Sequence, residues 1–248
     1  MGAAADDHGV TIDRYKELVG EELRDAAGNY PIEIRTPLGA PVWGPGDSPA
    51  LMILEDGRFK NQLETDTSQG AFAPEVRKGQ EKLFFGLPLD TLPENRPIYG
   101  YVGSPDAADV GQYGNVVWVL KPEVALRTTV TGIDSLSRPV VPGALRNPGW
   151  RATVPPGHVD PAIGSMVQDP LEHGFDGNID YIEAQVHGGV KLSDVARVDV
   201  VGLYPDDPDD HSDFMRFFEA ATRNGIPVTG YGTDWTRNAG QPIKWQLE

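Results

Sequence analysis

Glycine and proline break this chain about once every five residues, 29 glycines and 22 prolines among 248. Punctuation that dense forbids a bundle of long helices and favours short elements joined by many turns. Between the breaks, two periodicities alternate. Ile12, Tyr15, Leu18, Val19 and Leu23 fall at helical spacing, so a helix is expected from Ile12 to Ala27, stopped by Gly28. Residues 1–10 read as a flexible arm and 28–48 as extended chain. Ser48-Pro49 supplies an N-cap and a first-turn proline for a short helix ending at Gly57, and Pro74 opens another that runs to Gly86.

After Pro97 the period shortens to two. Strands are expected at Ile98–Val102, Val116–Leu120, Arg127–Thr131, Ile179–Val186, Arg197–Leu203 and Ile226–Thr229, with a loop-like stretch at 139–177. Pro205 to Asp210 reads as a solvated acidic turn. Ser212 is the expected cap of a last helix with Phe214, Phe217, Phe218 and Ala221 on one face, ended by Gly225. The expected fold class is α+β: a single domain over 1–248, mainly helical across 11–95, then a mixed or antiparallel β-rich core across 96–248.

Composition narrows the function. There is no cysteine, which removes disulfides, thiol nucleophiles and thiolate metal sites. A formal net charge of −16 repels phosphate backbones and anionic membranes, so nucleic acid and membrane are not expected as partners, and a basic protein is a candidate one. The N-terminus has no basic and apolar leader, and no apolar run is long enough to span a membrane. The expected location is cytoplasmic at synthesis, with non-classical export left open. Phosphate-loop, dinucleotide-loop, zincin and nucleophile-elbow patterns are absent, and the five histidines show no paired ligand spacing, so no metal is expected.

Three segments stand out as candidate chemistry. Arg96 enters a strand that carries Tyr99 and Tyr101 on one face, an arrangement able to grip an anion and stack a planar ring. Thr129 and Thr131 put two hydroxyls on one strand face, with Asp134 and Ser135 in the turn beyond. In the third segment, Tyr181, Glu183, Gln185 and His187 alternate with Ile182, Ala184 and Val186. That strand is polar on one face and apolar on the other. It reads either as a site or as an edge strand with a wet face. Among residues 1–95 there is no interpretable motif. Arg58, Lys60 and Ser68 either contribute to the site or brace the sheet.

The ordered set Arg96, Thr129/Thr131, Glu183 resembles the arginine-type branch of the ADP-ribosyltransferase superfamily, including its bacterial toxin-like members, over about residues 96–200. That branch has an arginine on an early strand, a Ser/Thr-rich strand, and a catalytic glutamate on a late strand. The stretch from Glu183 through Gly188-Gly189 to Val198 is similar to the pattern around that glutamate. The resemblance implies an ADP-ribosyltransferase-like fold and NAD as substrate. It implies cleavage of the nicotinamide–ribose bond and transfer of ADP-ribose to an unknown protein or small-molecule acceptor, as in a toxin or effector, or to water, as in an NAD glycohydrolase. It makes Glu183, with Gln185, the catalytic pair. Arg96, Tyr99, Tyr101, Thr129, Thr131 and Ser135 would contact NAD, and His187 and Asp134 would face the acceptor. Tyr181 stands where the family often has Gln or Glu, so either Glu183 or Gln185 occupies the catalytic position. The segment Gly57 to Gly70, taken with these three, also resembles a group of actinobacterial and phage proteins without assigned chemistry.

Two other readings remain. One is a non-catalytic acidic inhibitor or immunity-type partner of a basic protein. The other is a hydrolase using Asp134, Glu183 and His187.

Overall fold

Alternation of apolar and polar side chains is what assembles this molecule. In the computed structural model, residues 11, 31–39, 48–66, 73–102, 113–131, 183–204, 206–232 and 242–243 are described. The expected arm at 1–10, the helix at 12–27 and the loop at 139–177 lie outside them. Eight strands form one sheet: β1 (Ile32–Thr36), β2 (Ile98–Val102), β3 (Val116–Leu120), β4 (Thr128–Thr131), β5 (Glu183–Val186), β6 (Val195–Leu203), β7 (Val228–Gly232) and β8 (Pro242–Ile243). Their order is β4-β5-β2-β1-β3-β6-β7-β8. Every neighbouring pair is antiparallel except β6 and β7.

The chain is α+β, but its order differs from the expected helices followed by sheet. β1 precedes the helices and sits between β2 and β3. It hides in a proline-flanked stretch, yet Ile32 and Ile34 alternate with Glu33 and Arg35, and all four are buried. Helices α1 (Pro49–Asp56), α2 (Gln62–Thr65) and α3 (Pro74–Phe85) follow β1. Ser48 caps α1 through the Leu51 N–H, and Gly57 and Gly86 end α1 and α3 in the left-handed conformation, as expected.

Helix α4 (Pro208–Arg223) starts earlier than the sequence pattern indicated. Its N-cap is Asp207, not Ser212: the Asp207 carboxylate accepts from the N–H groups of Asp209 and Asp210 at 2.9 and 3.4 Å. Pro208 takes the first helical position, where its missing N–H costs nothing. Half of the supposed acidic turn is therefore helix, and its carboxylates favour the positive end of the helix dipole. The final strand also runs later than expected, Val228–Gly232, and gains β8 as a neighbour.

One sheet face is apolar. Ile32, Ile34, Ile98, Val116, Trp118, Val186, Val198 and Val200 pack with Ala50, Ile53 and Leu54 of α1 and Phe214, Phe217 and Ala221 of α4. Trp118 is the keystone. Its ring meets Phe59 and Phe217 edge-on at 5.2 and 5.6 Å, and its indole N–H donates to the Thr36 hydroxyl at 2.8 Å. Gly230 lets α4 close on the sheet, since a Cβ there would stand 3.1 Å from the Phe214 ring.

Candidate functional site

The opposite face holds the candidate site. Directly paired residues in antiparallel strands project to the same side. One row crosses five strands: Glu183, Tyr101, Glu33, Val119, Arg197. Beside it, Thr129, Gln185 and Tyr99 form a second row on one side, and Arg35, Val117, Asp199 and Thr229 on the other. The face is polar but dry: Glu33 and Gln185 are 0% exposed, Asp199 1%, Glu183 4% and Arg35 9%. β5 has neighbours on both sides, so the alternation from Glu183 to His187 does not mark a wet edge strand, while Tyr181 and Ile182 lie outside the described residues.

Dry polar groups need partners, because each one left unbonded costs about 1–3 kcal/mol. Around Glu183 they bond to one another. The Thr129 hydroxyl donates to Gln185 Oε1 at 3.1 Å, and Gln185 Nε2 donates to Glu183 Oε1 at 2.8 Å. His187 Nε2 lies 3.0 Å from the Thr129 hydroxyl, and its ring meets Phe85 edge-on at 5.2 Å. Glu183, Gln185, Thr129 and His187 are thus one connected chain. Glu183 and His187 stand at its two ends.

The turn after β5 is pinned. Gly188 and Gly189 both have positive φ, 77° and 75°. Arg127 donates to the carbonyls of His187 and Gly189 and pairs with Asp194 at 2.8 Å. The His187 N–H donates to the Arg127 carbonyl at 2.9 Å. Sequence reading passed over Arg127 because nothing in its spacing ties it to residues sixty positions away.

The arginine assignment changes with the geometry. Arg96 is 1% exposed. Its Nη1 is bound to Glu81 at 2.5 Å, its Nε donates to the Thr91 carbonyl, and its Nη2 donates to those of Pro88 and Leu89. The expected anion grip is spent on bracing the loop before β2. Arg35, which the sequence reading did not single out, lies on the polar face. Its Nε donates to the Tyr101 hydroxyl at 2.6 Å, while its Nη1 is buried and has no hydrogen-bond partner.

The two tyrosines share a face as expected but differ in state. Arg77 lies over the Tyr99 ring at 4.1 Å, and the Tyr99 hydroxyl donates to Glu81 at 2.9 Å. Burial holds that hydroxyl well above the ordinary tyrosine pKa; Arg77 opposes the shift, and the nearby Glu81 and Glu183 add to it. Tyr99 therefore already has a planar cation on its ring, where a stacked substrate was expected. Tyr101 packs with Tyr113 beside Arg35. Thr131 pairs with Glu183 in register, and Asp134 and Ser135 lie outside the described residues. Arg58 and Lys60 pair with Glu64 and Asp56, and Arg58 bridges to Lys191, so both brace the structure; Ser68 is outside the described residues.

Among the described residues there is no group of three His, Asp or Glu side chains placed to hold a metal ion, and no helix long and apolar enough to cross a membrane. No family model matches the chain. It is similar to two proteins called Gene 2 protein, from Mycobacterium phage L5, with 34% identity over 163 residues, and from Mycobacterium phage D29, with 31% over 158. Each match covers 59% of this chain, and 59% and 58% of the respective relatives, so the chain spans about three fifths of the length of these curated relatives. Their names state no activity.

Proposed function

We propose that this protein is an NAD-cleaving enzyme of the ADP-ribosyltransferase type, with Glu183 as the catalytic carboxylate. The observation that carries this reading is the buried chain Thr129–Gln185–Glu183, lying on the same sheet face as an arginine with an unpartnered Nη1. Arg35 then takes the anion-holding role that the resemblance had given to Arg96: its strand is the early one, and its guanidinium is not consumed by a carboxylate in a buried pair. The similarity to mycobacteriophage proteins fits a phage origin and leaves the acceptor open.

The chemistry follows from charge. Heterolysis of the C1′–N bond sends the bonding pair to nicotinamide and leaves positive charge on the ribose. A fixed carboxylate beside that carbon stabilises the charge as it develops. The nucleophile, an acceptor group or water, attacks C1′ and gives its proton to a base or to solvent. Gln185 holds one Glu183 oxygen, which fits Glu183 rather than Gln185 as the charged member, since an amide cannot supply the negative charge.

The test is nicotinamide release from NAD by the purified protein, with Glu183→Gln and Arg35→Met alongside. The expected result is release by the natural protein, loss of turnover in Glu183→Gln, and a raised KM for NAD in Arg35→Met. Full turnover by a folded Glu183→Gln protein would sink the assignment.

A further inference from the structure

The hydrogen bonds on the polar face have a direction. An ionised carboxylate only accepts, so the amide nitrogen of Gln185 must face Glu183, as it does at 2.8 Å. The amide oxygen is then turned toward Thr129 and accepts its hydroxyl proton at 3.1 Å. A threonine hydroxyl has one proton to give. Its oxygen must therefore accept from its remaining partner, His187 Nε2, at 3.0 Å. The order His187 Nε2–H to Thr129, Thr129 to Gln185, Gln185 to Glu183 leaves no donor facing a donor.

We infer that His187 is a positioning residue that acts through Thr129 and Gln185 on Glu183, and that it does so with the proton on Nε2. The catalytic consequence rests on the NAD-cleaving reading; the tautomer does not. His187 is thus set apart from the acceptor-facing role expected for it. The Phe85 ring meets the imidazole edge-on, and Arg127 holds the backbone of the turn that follows it.

Two measurements separate the inference from the function on which it builds. The first needs no substrate. In protein with ¹⁵N-labelled histidine at mildly alkaline pH, a long-range proton–nitrogen spectrum, assigned with His187→Gln, should show His187 protonated on Nε2. The Gln185 side-chain amide should exchange slowly with solvent, and at least about tenfold faster in His187→Phe. A bare Nε2, or unchanged amide exchange in His187→Phe, overturns the inference whether or not the protein cleaves NAD.

The second is kinetic. His187→Phe keeps an aromatic ring against Phe85 but removes the donor, so kcat for nicotinamide release should fall about tenfold with KM for NAD unchanged. His187→Gln keeps an N–H donor and should recover most of that loss. Thr129→Val breaks the same chain without touching the imidazole and should match His187→Phe. Equal impairment by the Phe and Gln variants would mean that an N–H donor at this position does not support the chain, and the inference would fall. Absence of nicotinamide release from the natural protein would end the NAD reading while the spectroscopic result still decides the histidine's place.

Discussion

The two faces of the sheet are made by the same strands and consist of opposite materials. On one, Trp118, Val116, Val198 and Val200 pack in one apolar cluster with residues of α1 and α4. On the other, Glu33, Glu183, Gln185, Asp199 and Arg35 are buried to a similar degree. Apolar burial stabilises by about 25 cal/mol per Å² and asks nothing of geometry. Polar burial gains little net and requires each bond to be in place. The apolar face is therefore where this protein obtains its stability. The polar face is where it holds charges that water would otherwise screen, the condition in which charged side chains do chemistry.

That contrast breaks most visibly on the apolar face. Trp118→Ala leaves a cavity between Phe59 and Phe217 and should cost about 3–5 kcal/mol in denaturant unfolding, with the affinity of the remaining folded protein for NAD unchanged. If Trp118→Ala left the unfolding midpoint in place, the division of labour between the faces would be wrong. Arg96→Met removes the charged partner of Glu81 in a dry setting and should cost about 3 kcal/mol. Its KM for NAD should stay put, which distinguishes a brace from an anion grip; a large rise in KM with normal stability would return Arg96 to the site.

On the polar face the largest expected effect is kinetic. Glu183→Gln should lower turnover about 10²–10³-fold while the unfolding midpoint moves little, because an amide oxygen can still accept from Gln185. Next in size is the turn: Gly188→Ala places a side chain at φ 77° and should cost about 1–2 kcal/mol by thermal or denaturant unfolding.

The smallest effect is at alkaline pH. Tyr99 is held protonated in the folded state, chiefly by burial, while the unfolded chain ionises it near pH 10. Above that pH the unfolded state binds fewer protons than the folded one, so stability should decline as pH rises from about 10 toward the folded pKa. Tyr99→Phe should flatten that decline, and an alkaline limb of unchanged slope in the variant would assign it to other groups.

Much of the scaffold was legible locally. β2 and β3 lie at the expected residues because Ile98–Val102 and Val116–Leu120 are short runs rich in strand formers bounded by proline, glycine and asparagine. Helices α1 and α3 announce themselves by proline at the start and glycine at the end. β1 escaped because five residues between two prolines give too short a period to weigh against a Pro/Gly-rich neighbourhood. The start of α4 was misplaced for a related reason: Asp207 and Ser212 are equally good caps in isolation, and Pro208 tips the choice only once the helix is seen to pack its Phe214 and Phe217 on the sheet.

By itself, the sequence determined the α+β class, the amphipathic alternation of β5 and the close grouping of Glu183, Gln185 and His187, since a period of two puts all three on one side of a strand whatever surrounds it. Which arginine meets them was decided by tertiary structure alone. Arg35 and Arg96 have the same chemistry and each adjoins or lies in a strand, but register puts Arg35 on the polar face, and Glu81, fifteen residues before Arg96, claims the latter in a buried pair. A guanidinium's role is set by what else can reach it, and that depends on which strands lie side by side.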